Sequence, residues 1–97
     1  MNIEVGTLKG RLYNGHSTVG TTRAKLNEDV RDNFARGVTV KADVANAGTV
    51  YVGGPAVTAV TGYPLTAGES LYLPVMQTDQ INVIGSVADQ GYSWVGI

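Results

Sequence analysis

The sequence predicts an all-β domain: a small antiparallel β-sandwich or jelly-roll-like barrel with an N-terminal arm or hairpin. Short runs rich in Val, Thr and Ile recur about every 8 to 12 residues, with turn residues between them. The 97 residues include 13 Gly and no Cys. No strand–helix alternation of the kind that builds nucleotide-binding α/β folds occurs. A chain of this length forms one domain, which we divide into an arm or first hairpin at 1–20 and a sandwich at 21–97.

The N-terminal third carries the weaker signals. Three glycines within the first 15 residues interrupt every helical turn, which favours a short strand or an extended arm over a helix. Residues 15–22 (GHSTVGTT) resemble a linker, and residues 22–26 (TRAKL) alternate like a half-buried strand with a cationic outer face. Residues 27–36 (NEDVRDNFAR) have helix potential over about two turns, and a long loop pinned by Phe34 fits them equally well.

The rest of the chain has the clearer strand pattern. Residues 37–44 (GVTVKADV) and 49–54 (TVYVGG) alternate apolar and polar positions around an Asn-Ala-Gly turn, which predicts a hairpin or two neighbouring strands. Further strands are predicted at 56–60, 71–75, 81–88 and 92–97. Residues 81–88 (INVIGSVA) are apolar on both faces, as in a strand in the middle of a layered structure or against a partner. Trp94 is predicted to lie in the core.

Composition argues against several classes of function. The net charge is −1, so we expect no general nucleic-acid binding, and no stretch approaches the roughly 20 apolar residues that span a bilayer. The N-terminus lacks a basic flank followed by an apolar run, so we expect a protein that is made in a cytoplasm and is not secreted by the usual route. All seven Lys and Arg residues lie within the first 41 positions. Two faces of opposite charge would favour docking against a complementary surface.

Catalytic and metal-binding patterns are also weak. Without Cys and with one His, the chain has no disulfide, no Cys-ligated zinc and no two-His metal site of its own. His16 has Ser17 beside it, but there is no G-x-S-x-G elbow or other sign of a catalytic triad. The acids at 28, 29 and 32 do not have the spacing of a calcium loop, and neighbouring arginines indicate salt bridges. We therefore expect no enzyme activity, no metal site and no cofactor.

Three tyrosines are predicted on outward faces of strands: Tyr51, Tyr72 and Tyr92. Such a set suits contact with a protein partner or stacking against a sugar ring, as in a carbohydrate-binding module. Tyrosines on a sheet surface also pair across strands simply as packing.

The run NAGTVYVGGPAVTAVTGYPLTAGESLYLPV (46–75), followed by INVIGSVADQGYSWVGI (81–97), resembles a pattern of small structural proteins of tailed bacteriophages. The similarity covers residues 37–97, whereas 1–36 match no pattern of this kind. Its recognisable parts are Asn46-Ala47-Gly48, Val50-Tyr51-Val52-Gly53, Val57-Thr58, Gly62-Tyr63-Pro64-Leu65, Ala67-Gly68-Glu69-Ser70-Leu71 and Ile84-Gly85-Ser86. The resemblance implies a compact β-sandwich, often jelly-roll-like, used as a head or tail building block. It carries no catalytic residues.

We therefore expect a phage virion structural protein, most simply a capsid cement or decoration protein on the capsid exterior. It would dock on the major capsid protein or other virion subunits, as a homo-oligomer and most simply a trimer. The alternatives are a tail, baseplate or head-fibre component and a carbohydrate-binding β-module. The residues expected at the partner interface are Ile3, Val5, Leu8, Leu12, Tyr13, Arg31, Phe34, Tyr51 and Tyr72.

Overall fold

The computed structural model describes residues 12–27, 34 and 36–97. Outside the described part lie residues 1–11, which belong to the predicted arm, and residues 28–33 and 35, which belong to the candidate helix. The described residues form eight strands: β1 (Tyr13–Val19), β2 (Ala24–Lys25), β3 (Val38–Ala42), β4 (Val50–Gly53), β5 (Tyr63–Leu65), β6 (Ser70–Leu73), β7 (Asn82–Gly85) and β8 (Gln90–Gly96). A single 3₁₀ turn, Thr78–Gln80, precedes β7, and the described residues contain no α-helix. The all-β prediction is confirmed.

The strands form two four-stranded sheets, with the orders β1-β8-β3-β6 and β2-β7-β4-β5. Every pairing is antiparallel. The first strand pairs with the eighth, the second with the seventh, the third with the sixth and the fourth with the fifth. This is the pattern of a long antiparallel ribbon that is folded back on itself and then rolled, which is the jelly-roll topology.

The core lies between the two sheets because side chains alternate along each strand. In β3, Val38, Val40 and Ala42 are fully buried, whereas Lys41 between them is exposed. The second sheet contributes its own inward-facing valines from β4 and β7. Burying each such side chain contributes about 1.5–3 kcal/mol, and this is the main stabilising term of the fold.

The last strand, β8, lies inside the first sheet with a neighbour on each side. Its inward residues Tyr92 and Trp94 are 1% and 6% exposed, so the prediction that Trp94 lies in the core is confirmed. The hydroxyl of Tyr92 donates a hydrogen bond of 2.8 Å to the carbonyl of Leu26, which ties β8 to the end of β2. The prediction that Tyr92 faces outward is wrong, because residues 92 and 94 lie two apart and therefore share the inner face.

Residues 15–22 are not a linker, because residues 13–19 of the predicted arm region form β1 and pair along their length with β8. Residues 56–60 are not a strand. They form a turn, in which Val57 is buried and Val60 is 92% exposed. Hydrogen bonds between the Thr58 and Thr61 side chains and the local backbone hold that turn, and Thr residues often compete with sheet ladders in this way.

Strands β3 and β4 are not a hairpin, because they belong to different sheets and residues 43–49 connect the two layers. Phe34, the proposed pin of the 27–36 segment, is 3% exposed and packs edge-on against Tyr13, with ring centroids 5.8 Å apart. Its backbone N–H donates to the carbonyl of Met76 at 2.6 Å. The pinning role is therefore confirmed for Phe34 itself.

Candidate functional site

The outer face of the first sheet is a regular surface of four paired strands. The antiparallel register places its outward side chains in rows across the four strands. One row holds Asn14, Val95, Thr39 and Tyr72, and the next holds His16, Ser93, Lys41 and Ser70. The face is thus divided into a half that contains large apolar side chains and a half that is entirely polar.

The apolar half forms what we call the apolar patch: Leu12, Tyr72, Val95 and Ile97. Leu12 is 64% exposed, Tyr72 57% and Val95 46%. Together with Arg36 they line a shallow depression of about 370 Å³. Singly exposed apolar residues are ordinary, but several that meet at one depression are a feature of interaction sites.

The apolar patch is held in place by the strands beneath it. The Tyr72 hydroxyl donates to the carbonyl of Arg36 at 2.7 Å, and the Arg36 N–H donates to the carbonyl of Ile97, also at 2.7 Å. Val95 lies on β8, which is paired on both sides. The patch is therefore supported by a strand paired on both sides and by hydrogen bonds within the chain itself.

The polar half is crossed by a pair of side chains from two different strands. Nε2 of His16 on β1 lies 2.7 Å from Oδ2 of Asp43, which follows β3. Strand β8 runs between them, and the carboxylate of Asp43 occupies the space above Gly91, where any Cβ would collide with it. The absent side chain at Gly91 is what allows His16 on β1 and Asp43 after β3 to meet across β8.

The surroundings of His16 and Asp43 do not resemble a catalytic site. His16 and Asp43 have side chains 57% and 33% exposed on an open sheet face, where water competes for both groups. A surface pair of this kind contributes up to about 1 kcal/mol to stability. Among the residues that the structure describes, no three His, Asp or Glu side chains come together as ligands for a metal ion. The geometry supports a cross-strand bridge.

The residues predicted at the partner interface fall in several places. Leu12 and Tyr72 come together in the apolar patch, whereas Tyr51 lies half-buried on the outer face of the second sheet. Tyr13 is half-buried against the core and Phe34 is inside it, so these two side chains pack within the chain. Four others lie outside the described residues: Ile3, Val5, Leu8 and Arg31.

The three tyrosines do not form one stacking platform. Tyr92 is in the core, and Tyr51 and Tyr72 project from opposite outer faces of the sandwich. Sequence reasoning did not single out Val95 or Ile97, although the inward position of Trp94 places Val95 on the outer face by simple alternation. It also missed the pairing of His16 with Asp43, since no local pattern connects residues 27 positions apart.

Comparison with known proteins identified no relative. No family model matches the chain, and no curated protein and no solved structure matches it significantly. Within the described ranges, no helix has the length and hydrophobicity that crossing a membrane requires.

Proposed function

We propose that this chain is a structural protein of a tailed-phage virion, and specifically a capsid cement or decoration protein. It binds the outside of the head where major capsid subunits meet, and it acts as a homo-oligomer, most simply a trimer. Its mechanism is burial of surface against the capsid, with no chemical step. The sequence resemblance over residues 37–97 suggests the class of protein, and the surface of the jelly roll suggests how it docks.

The observation that carries the proposal is the apolar patch on the outer face of the first sheet. Three large apolar side chains from different parts of the chain are each about half exposed there, around one depression. A surface held by hydrogen bonds within its own chain binds with a smaller entropic cost than a flexible one. Leu12, Tyr72 and Val95 would be the buried centre of the contact, where aromatic and aliphatic side chains contribute most.

The polar surroundings of the apolar patch fit the rim of such an interface. Arg36 lines the same depression, and Lys41 lies one row away on the same face. Charged groups at the rim of an interface steer association and fix orientation more than they add affinity. We infer that the complementary capsid surface is apolar at its centre and carries carboxylates at its edge.

Two alternatives use the same chain differently. A tail, baseplate or head-fibre component would use the same apolar patch against a different virion subunit. A carbohydrate-binding module would need an exposed aromatic platform, and Tyr51 and Tyr72 lie on opposite faces of the sandwich and so do not share one.

The test is co-sedimentation of the purified protein with heads that lack it, taken from the phage whose genome encodes the chain. We expect saturable binding of the wild type. Val95→Asp should weaken binding at least about tenfold, because it places a charge in the centre of the apolar patch. Val60→Asp is the matched control: Val60 is 92% exposed in the 58–61 turn, outside the patch, and its substitution should leave binding unchanged.

The possible outcomes are distinct. Saturable binding to heads with loss only in Val95→Asp supports the proposal. Binding to isolated tails but not to heads overturns the capsid assignment in favour of the tail alternative. If the wild type binds neither heads nor tails although circular dichroism shows that it is folded, the virion proposal is overturned.

A further inference from the structure

The two sheets do not close completely where their edge strands β5 and β6 face each other. A pocket of about 410 Å³ opens between the sheets at this point. Leu71 and Leu73 of β6 face inward, since their partners across the ladder, Val40 and Val38, are fully buried. Both leucines are nevertheless only half-buried, because no strand of the described part of the chain covers them on the pocket side. The hydrophobic core is thus left uncovered along β6.

The walls and floor of the pocket are aliphatic. Val52 and Ile81 form deep parts of it and are 3% and 2% exposed, and Val75 adds to the side wall. No charged side chain belongs to the described residues that line the pocket. An ionised ligand would lose its hydration there without gaining a counter-charge, so the chemistry favours a neutral and largely apolar occupant.

Two polar groups among the lining residues are available for hydrogen bonding. Tyr63, on edge strand β5, is 57% exposed, and its hydroxyl has no hydrogen-bond partner among the described residues. Gln80 accepts a hydrogen bond of 3.3 Å from the N–H of Met76 through Oε1, which leaves its amide nitrogen able to donate. Either group can form a hydrogen bond with a hydroxyl or carbonyl oxygen of a ligand.

From this combination we infer that the pocket between β5 and β6 binds a small, neutral, mostly aliphatic molecule that carries a single hydroxyl or carbonyl oxygen. The volume lies within the roughly 300–1,000 Å³ typical of small-molecule sites, and at roughly 30 Å³ per group it has room for about a dozen non-hydrogen atoms. A medium-chain alcohol has this chemistry and size. The inference does not depend on the proposed virion role, since the pocket and the apolar patch share no residue.

The experiment is a titration of the isotope-labelled full-length protein with 1-octanol, followed by the methyl resonances of Leu71, Leu73, Val75, Val52 and Ile81. We expect saturable shifts at these methyl groups with a dissociation constant below about 1 mM, and none at Val60. Octanoate is the matched probe, with the same chain length and a negative charge. It should bind at least about tenfold more weakly.

Two glycines supply a matched pair of variants. A Cβ added at Gly54, which lines the pocket, or at Gly20, which does not, meets no atom within 4 Å. Gly54→Leu should weaken octanol binding at least about tenfold, because it adds a bulky side chain at a residue that lines the pocket, and Gly20→Leu should leave binding unchanged. Tyr63→Phe, an exposed substitution that should preserve folding, should weaken binding about two- to fivefold by removing the hydroxyl.

Three results would overturn the inference. One is the absence of shifts up to the solubility limit of octanol. Another is equal binding by wild type and Gly54→Leu. The last is a set of intermolecular contacts, seen in the unliganded protein, that place a side chain of another chain in the pocket; the site would then be a protein interface.

Discussion

The indole ring of Trp94 occupies the space where residue 15 would carry its side chain. Gly15 on β1 is the cross-strand partner of Trp94 on β8, and a Cβ built on Gly15 would overlap the six-membered part of the ring. An aromatic ring that covers a glycine on a neighbouring edge strand closes what would otherwise be a gap in the sheet. The glycine that makes this part of the sequence look like a linker is therefore what lets the tryptophan fit.

We predict that Gly15→Ala lowers the free energy of unfolding by about 1–3 kcal/mol, the usual range for overpacking a filled site. Urea denaturation provides the measurement, and near-UV circular dichroism should show a changed environment for Trp94. Gly20→Ala is the control, because a Cβ there meets nothing within 4 Å. If the two alanine variants were equally stable, the close contact of Gly15 with Trp94 would be refuted.

The buried side chain of Gln90 gives a second prediction. It is 3% exposed; its Oε1 accepts from the N–H of Gly48 at 2.7 Å, and its Nε2 donates to the carbonyl of Ala88 at 2.8 Å. Gln90→Ala leaves both backbone groups without this partner and should lower the free energy of unfolding by about 1–3 kcal/mol. Hydrogen exchange at the Gly48 amide should accelerate in the same variant.

Ser86→Ala provides the comparison for Gln90. The Ser86 hydroxyl accepts from the N–H of Thr49 at 2.9 Å, but this bond is exposed and water can replace it. We expect Ser86→Ala to lower the free energy of unfolding by less than about 1 kcal/mol. If both variants lost the same free energy of unfolding, burial would not explain a larger effect at Gln90.

Asp89 supplies a third prediction because it is the one described residue other than glycine with a positive φ, at 60°. Asp and Gly tolerate this left-handed conformation far better than a β-branched side chain does. Asp89→Val should lower the free energy of unfolding by about 1–2 kcal/mol, whereas Asp89→Gly should stay within about 0.5 kcal/mol of wild type. A Val variant as stable as the Gly variant in thermal unfolding would disprove the strained turn.

The pH dependence of stability should contain a contribution from Glu69. The backbone N–H of Thr66 donates to its carboxylate at 2.8 Å, and this bond, with a second from the Thr66 hydroxyl, lowers the pKa of Glu69. A lowered pKa in the folded state stabilises the protein above the carboxyl pKa of the unfolded chain, about 4.3, and the gain is lost as the pH falls through the folded value.

Wild type should therefore be more stable than Glu69→Gln at pH 7, and the difference should shrink toward zero in strong acid. Urea denaturation of the two proteins at a series of pH values measures it. A direct check is the titration of the Glu69 carboxyl carbon by NMR. A midpoint at or above that of Glu in an unfolded peptide would show that the turn bonds do not favour the charged form.

Much of the strand content could be predicted because alternation is a local property. Residues 37–44 and 49–54 became β3 and β4, and the run at 81–88, apolar on both faces, contains β7, which lies inside the second sheet with a neighbour on each side. The errors came where other contacts override the alternation of residues: a tertiary contact in one case and hydrogen bonds within a turn in the other. The linker-like stretch around Gly15 is a strand because Trp94 covers it, and the valines of 56–60 form a turn because Thr58 and Thr61 hydrogen-bond to the local backbone.

The sequence predicts which side chains of the candidate site face outward, but it does not predict which of them lie together. Tyr72 could be placed on an outer face from the alternation of β6, but that it shares a depression with Leu12 and Val95 depends on the order of strands in the sheet. The bridge between His16 and Asp43 depends further on β8 lying between their strands with a glycine at the crossing point.

By itself, then, the sequence determined that this is a cysteine-free, all-β chain of short strands, since composition and period-two alternation are written into consecutive residues. Only the tertiary structure decided which strands share a sheet, which face carries the apolar patch and where the sandwich stays open. Those features depend on pairing between residues far apart in the chain, such as Tyr13 with Gly96, and no local pattern specifies the partner of a strand.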